Sequence, residues 1–158
     1  MNLRIGQGID FHRLDNGLKL FLGGVNIPSA KGCIAHSDGD VLLHALCDAL
    51  LGAAGLDDIG HQFPDKDAQF RNIDSKILLQ KVFSMISEKG FSVVNVDCTL
   101  CLEKPKIAPF IGEMKERISA ILQTSPENVG IKATTTEKMG FTGREEGIAA
   151  FAVALLTR

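Results

Sequence analysis

Hydrophobic and polar positions change their spacing several times along the chain, and each change predicts an element. Residues 2–9 roughly alternate and predict a first strand. Leu18 to Leu22 alternate again, turn through Gly23-Gly24 and lead into a short third strand that Pro28 ends. From Ala35 the spacing becomes helical. Ser37 reads as the N-cap of a helix of about 15 residues, with Asp40 three positions on as a weak capping box. Val41, Leu42, Ala45, Leu46, Ala49 and Leu50 give this helix a wide apolar face, and Gly52 and Gly55 punctuate its end. A second helix runs from an Asp74 cap to about Lys89, with Ile77, Leu78, Val82, Met85 and Ile86 inward and Gly90 after it. Strict alternation then returns. Val94, Val96, Cys98, Leu100 and Leu102 point one way, and Asn95, Asp97, Thr99 and Cys101 the other. Pro105 opens a third helix, with Ile107, Phe110, Ile111, Met114, Ile118 and Ile121 on one face. Val129 to Thr136 is a further strand, and Gly147 to Thr157 is apolar on both faces, as a buried or interface strand is. Strands first and then alternation predict one α/β domain over residues 1–158, with no linker, charge run or repeat to divide it.

Composition narrows the classes of function. Seventeen basic residues against nineteen acidic ones leave a net charge of −2, without the basic stripe of a nucleic-acid binder. Hydrophobic residues at 45% and charged ones at 23% exclude a disordered chain. No apolar run approaches the length of a bilayer span. The first residues lack the apolar core of a signal peptide, so the chain reads as mature from its start. Four cysteines (Cys33, Cys47, Cys98, Cys101) make no dense disulfide framework and point to a reducing compartment. Sixteen glycines suggest tight turns or close approach to a ligand. A chain without Trp or Tyr but with mean hydropathy of +0.12 suggests surface buried against further copies of itself.

Candidate chemistry gathers in three places. Asp10 and His12 stand two apart on a strand, so carboxylate and imidazole face the same side. His44 lies among leucines on the first predicted helix, with Asp40 and Asp48 four residues to either side. One carboxylate and two imidazoles suit Zn²⁺ with a fourth position open, and Asp48 or Asp40 is placed to orient the His44 ring. The same three residues are equally ordinary as structural side chains, so spacing leaves both readings open. His36-Ser37-Asp38-Gly39-Asp40, at a helix start, reads either as an anion site or as a plain capping segment. Residues 132–147 supply three successive hydroxyls (Thr134, Thr135, Thr136), the carboxylate of Glu137, two glycines and Arg144, which suit phosphate plus one hard cation. Cys98 and Cys101 face opposite sides of their strand and read as structural filler.

Taken together, these segments resemble the 2-C-methyl-D-erythritol 2,4-cyclodiphosphate synthases of non-mevalonate isoprenoid biosynthesis. The matching blocks are 4–12, 35–40 continuing into 44–53, 58–65, 104–106 and 132–144; His-Ser-Asp-Gly-Asp with Ala-Thr-Thr-Thr-Glu-Lys is highly specific as a pair. The resemblance implies a mixed sheet with helices packed on one face, and a homotrimer whose sheets line a central cavity and whose active sites lie between subunits. It implies cyclisation of 4-diphosphocytidyl-2-C-methyl-D-erythritol 2-phosphate: the 2-phosphate attacks the β-phosphorus and CMP leaves. Asp10, His12 and His44 would hold Zn²⁺, and Glu137 a Mg²⁺ or Mn²⁺. His36 and Thr135 match the catalytic stabilisers. Ser37, Thr134 and Thr136 would meet the phosphates. Asp58, Ile59, Gly60, Phe63, Pro64, Asp65, Lys66 and Asp67 would follow the methylerythritol wall. Leu102, Glu103, Lys104, Pro105, Lys106, Ile107 and Ala108 would form the cytidine pocket, and Phe141 and Arg144 would complete the set. Arg144 and Glu146 stand near the positions that meet an isoprenoid diphosphate in the central cavity.

This sequence departs from the family's pattern at two places: Leu102 and Glu103 are bulkier than the usual start of the cytidine loop, and His61 stands where lysine is common, making local charge pH-dependent. Two rival readings use the same residues: a zinc phosphohydrolase giving a linear product, and a trimeric isoprenoid-diphosphate binding protein without catalysis. The resemblance implies a small-molecule cytidine diphosphate substrate; charge and apolar-run length speak for no nucleic acid and no membrane, and the lack of a leader fits a cytoplasmic location or a plastid one after trimming.

Overall fold

The computed structural model describes residues 2–64 and 66–158. Strand β1 (Leu3–Asn16) continues well past residue 9, because it finds partners along its whole length. The last strand, β7 (Gly147–Thr157), pairs antiparallel with residues 3–13, and β4 (Lys31–Cys33) pairs with residues 14–16. Asp10 and His12 therefore sit inside a strand rather than at its end. Between β1 and β4 in sequence, β2 (Leu20–Leu22) and β3 (Val25–Ile27) form a hairpin through Gly23 and Gly24, both at positive φ. Next come α1 (Val41–Ala53), α2 (Ile59–Gln62), α3 (Ser75–Glu88), β5 (Ser92–Cys101), α4 (Ile111–Ile121), β6 (Val129–Thr134) and α5 (Gly140–Gly143). The main sheet has the order β4-β1-β7-β5-β6, antiparallel except for β5 with β6. Helices cover one face of this mixed sheet.

Helix α1 is the centre of the core, with ten buried positions from Val41 to Ala53. Only His44, Asp48 and Gly52, spaced by four, escape full burial and form one stripe along it. On β1 the usual alternation is inverted. The side facing α1 carries Gly6, Gly8, Asp10 and His12, while Leu3, Ile5, Ile9 and Phe11 are exposed on the other face. The glycines admit the helix rather than a ligand: a Cβ on Gly8 would stand 1.8 Å from the Ala45 carbonyl oxygen, and one on Gly6 would stand 2.0 Å from that of Ala49. No helix among the described residues is long and apolar enough to cross a membrane.

Several boundaries differ from expectation for identifiable reasons. The N-cap of α1 is Asp40, not Ser37; its carboxylate takes the N–H of Leu43 and those of Gly23 and Gly24, so it anchors the hairpin and does not orient His44. Ile77 is exposed, and Leu79 fills the inward place on α3. A register shift between Val93 and Asn95 rotates Val94 outward. A 3₁₀ turn over Ala108–Phe110 precedes α4, which starts at Ile111 rather than near Pro105; the Lys104–Pro105 bond is cis. β6 stops at Thr134, and Thr135 and Thr136 leave the sheet. β4, α2 and α5 span three or four residues each, too few for periodicity to reveal.

Candidate metal centre and active site

Two elements converge on one point. β1 presents Asp10 and His12 to the helical face, and α1, held close by Gly6 and Gly8, brings His44 above them. The three donor atoms lie within 4.8 Å of one another. His44 Nδ1 is 3.2 Å from Asp10 Oδ2, and His12 Nδ1 is 3.0 Å from the same oxygen. His12 Nδ1 nevertheless has no hydrogen-bond partner. Burial opposes ionisation of Asp10, but the adjacent His12 and His44 rings outweigh it and hold the carboxyl at about 2. Burial likewise opposes charging of His44, and the bond to Asp10 with the charges of Asp10, Asp40 and Asp38 reverses the sign. A half-buried carboxylate, a buried ring nitrogen without a hydrogen-bond partner and a third donor in reach fit a cation better than they fit a structural cluster. Two imidazoles and one carboxylate suit Zn²⁺.

The cluster opens into a cleft of about 360 Å³ lined by His36, Ser37, Ile59, Gly60, Phe63 and Phe70, among others. The His36–Gly39 loop is strapped to the segment before α3 by Asn72 N–H to the His36 carbonyl (2.6 Å) and Asp38 N–H to that of Ile73 (3.0 Å). Asp58 caps α2 by accepting the N–H of His61 at 2.9 Å, and the same oxygen is 2.9 Å from the His61 ring nitrogen. That bond and the Asp58 charge raise the His61 pKa, and the same bond together with the His61 backbone N–H lowers that of Asp58. Asp48 accepts the N–H of Ile59 at 2.7 Å, so its bond fixes α2 rather than the His44 ring that it was expected to orient. Pro64 and Lys66 are exposed and Asp67 caps the 3₁₀ turn at Ala68–Phe70; Asp65 lies outside the described residues.

A second cluster forms where β5 and β6 end. The Leu102 N–H reaches the Thr134 carbonyl at 3.0 Å, and the Glu103 carboxylate takes the N–H groups of Thr136 (3.0 Å) and Lys138 (3.3 Å). Glu103 thus brackets the Thr-Thr-Thr-Glu segment, a use for its bulk that sequence reading did not foresee. Leu102 and Ile107 turn their side chains into the core, while Lys104, Lys106 and Ala108 are exposed. Thr135 donates to Glu137 at 3.4 Å, and Thr136 donates to the Met139 carbonyl at 2.7 Å. Phe141 and Arg144 line a third place, a cavity of about 520 Å³ with Phe11, Arg13 and Lys31. Arg144 is paired with Glu146 at 2.8 Å.

One chain therefore brings together Asp10, His12, His44, His36, Ser37, Ile59, Gly60 and Phe63. It does not bring Leu102–Ala108 or Thr134–Glu137 into that cleft: β6 stands three strand spacings from β1, roughly 14 Å. Sequence reading missed Phe70, Ile73 and Leu78 in the cleft wall, and Ser75, which bonds the His44 ring. Asp74 as a helix cap was the only available signal for that region.

The YgbB family model matches residues 3–157. A 2-C-methyl-D-erythritol 2,4-cyclodiphosphate synthase of Bacillus cereus is 56% identical over 155 residues, 98% of each chain. Among solved structures, the bifunctional IspDF of Campylobacter jejuni superposes with a TM-score of 0.94 at 42% identity; the match covers 98% of this chain and 42% of that longer one. A 2C-methyl-D-erythritol-2,4-cyclodiphosphate synthase in a CDP-bound form superposes at 0.90 with 37% identity, covering 98% of this chain and 100% of that one. The chain belongs to the YgbB family, that of the 2-C-methyl-D-erythritol 2,4-cyclodiphosphate synthases.

Proposed function

We propose that this chain, as one domain over residues 1–158, converts 4-diphosphocytidyl-2-C-methyl-D-erythritol 2-phosphate to 2-C-methyl-D-erythritol 2,4-cyclodiphosphate with release of CMP, in isoprenoid precursor biosynthesis. The observation that carries this reading is the Asp10–His12–His44 donor set, with its partnerless His12 Nδ1, at a cleft bearing His36 and Ser37. Asp10, His12 and His44 would hold Zn²⁺, and Glu137 would hold Mg²⁺ or Mn²⁺. The chemistry that such cations would supply is neutralisation of phosphate charge and polarisation of the attacked phosphorus.

The 2-phosphate is already an anionic nucleophile, so no base is needed to activate it. Its oxygen bonds to the β-phosphorus, the bond to the bridging α–β oxygen breaks, and CMP leaves with the electron pair. The chain's work is positioning and charge stabilisation. His36 and Thr135 donate to phosphoryl oxygens as charge shifts. Ser37, Thr134 and Thr136 hold the phosphates. Asp58, Ile59, Gly60 and Phe63 to Asp67 follow the methylerythritol wall. Leu102 to Ala108 receive the cytidine through backbone groups, since Leu102 and Ile107 are turned inward. The CDP of the bound-form relative supports a cytidine nucleotide site.

The separation of the two clusters supports a site completed by a second copy, one chain supplying the metal cleft and its neighbour the Thr134–Glu137 and cytidine loops. The exposed apolar sheet face, with Ile5, Ile9, Phe11, Phe151 and Val153, supports a homotrimer with sheets inward. Arg144 and Glu146 then stand at the central cavity, able to meet an isoprenoid diphosphate. Four free cysteines support a reducing cytoplasm. Incubation with the substrate, Zn²⁺ and Mg²⁺, followed by phosphorus NMR, tests the reading. A cyclic diphosphate with stoichiometric CMP supports it; a linear product points to hydrolysis, and no turnover with metal bound points to a binding protein.

A further inference from the structure

We infer that Ser75 and Asp38 form a relay that keeps the His44 ring protonated at Nε2, so that Nδ1, facing Asp10 and His12, is the nitrogen left for a cation. Ser75 is fully buried at the first turn of α3, and its hydroxyl lies 2.9 Å from His44 Nε2. The same hydroxyl lies 2.5 Å from Asp38 Oδ1. Asp38 is already an acceptor on both oxygens, taking the Ser75 N–H at 3.0 Å and the Asp40 N–H at 3.1 Å. A carboxylate has no proton to give, so the hydrogen on the Ser75–Asp38 contact is that of Ser75. Its oxygen then has only lone pairs left for the ring, and the contact at 2.9 Å is attractive only when Nε2 carries hydrogen. Ser37 Oγ, 3.2 Å from Nε2, can accept a weaker share, and it already accepts the Gly39 N–H at 3.1 Å. The Ser37 hydroxyl hydrogen stays free for the cleft.

With Nε2 protonated, Nδ1 is the His44 nitrogen left to join the Asp10 and His12 donors at a cation. The relay replaces Asp48 as the group that orients His44. It also ties the metal end of α1 to the start of α3 and to the His36–Gly39 loop, so one network positions the ligand and the phosphate-facing residues. Ser75 and Asp38 are positioning residues, acting through His44.

The inference rests on the metal reading for its purpose but not for its test. Proton-detected nitrogen spectra of the histidine rings in the zinc-loaded full chain should show His44 protonated at Nε2, with that proton exchanging slowly with water. Ser75→Ala keeps the α3 backbone N–H and removes only the hydroxyl. It should lower zinc affinity about 10- to 100-fold, measured by chelator competition, and speed exchange of the ring proton. Ser75→Thr should restore both toward the original values, which a purely structural loss does not explain. A wild-type His44 without hydrogen on Nε2 overturns the relay whatever the variants do. So does a folded Ser75→Ala chain with zinc affinity within about threefold of the original. If Ser75→Ala does not fold, Asp38→Asn, which keeps one acceptor oxygen but loses the charge, must weaken zinc binding or the relay is refuted. Absence of zinc binding in the unaltered chain counts against the metal reading alone, and a metal-free His44 ring without hydrogen on Nε2 still overturns the relay.

Discussion

Gly8→Ala separates the packing of this fold from its chemistry on a single methyl group. The added Cβ would meet the Ala45 carbonyl oxygen at 1.8 Å, against a lower limit of 3.4 Å for ordinary contact, so strand and helix must part by about 1.6 Å. Both sides of the clash are backbone, and no flexible side chain can yield. Overpacking of this kind costs about 1–3 kcal/mol, and a backbone clash belongs at the upper end. His44 adjoins Ala45 on the same turn of α1 and moves with it, whereas Asp10 moves with β1. Metal–ligand distances tolerate only about 0.2 Å, so the retreat should cost zinc affinity 100-fold or more even where the chain still folds. Urea unfolding of the metal-free chain measures the first quantity, and chelator competition with zinc the second. Gly52→Ala is the control: nothing lies within 4 Å of its added Cβ on the same helix. It should gain about 0.4–1 kcal/mol from reduced unfolded-state freedom and leave zinc binding unchanged. A folded Gly8→Ala chain that binds zinc within about threefold of the original would refute the reasoning.

Four further outcomes are expected. His44→Ala removes one of three donors from the helical face while leaving the outer sheet face intact, so metal analysis should find zinc and turnover lost and size-exclusion should find the oligomer retained; retained zinc stoichiometry contradicts the assignment. Glu137→Gln should weaken the Mg²⁺ or Mn²⁺ requirement and slow turnover with zinc still bound, and unchanged kinetics remove Glu137 from the mechanism. Asp40→Asn presents an amide hydrogen to backbone donors at 2.7 to 3.1 Å and should cost about 1–3 kcal/mol in urea unfolding. Burial pushes the Cys33 and Cys98 thiols up to about 12 and raises that of Cys47 well above the ordinary thiol range, so alkylation of the native protein at pH 8 should label Cys101 first; early labelling of any of the other three contradicts that order.

Asp10 and His12 were legible as a pair because alternation places i and i+2 together wherever a strand exists, and His44 because it interrupts an apolar helical face. Their meeting was not legible from periodicity: it depends on Gly6 and Gly8, whose lack of a side chain carries no pattern of its own. Ser75 escaped notice because a serine after Asp74 looks like any helix start, and its significance comes from Asp38, thirty-seven positions earlier. Glu103 was read as bulk in a binding loop, and its carboxylate proves to bracket a loop thirty-three residues later.

By itself the sequence determined the helices α1 and α3 and the strands β5 and β7, which follow from local period, while the helix-covered mixed sheet and the candidate metal donors Asp10, His12 and His44 came through family resemblance. Strand length and order, the backbone contact of β1 with α1, and the bonding of His44 to Ser75 were decided only by tertiary structure. The physical reason is that β1 extends as far as its partners β7 and β4 do, and a hydrogen's place on an imidazole depends on which distant acceptor reaches it.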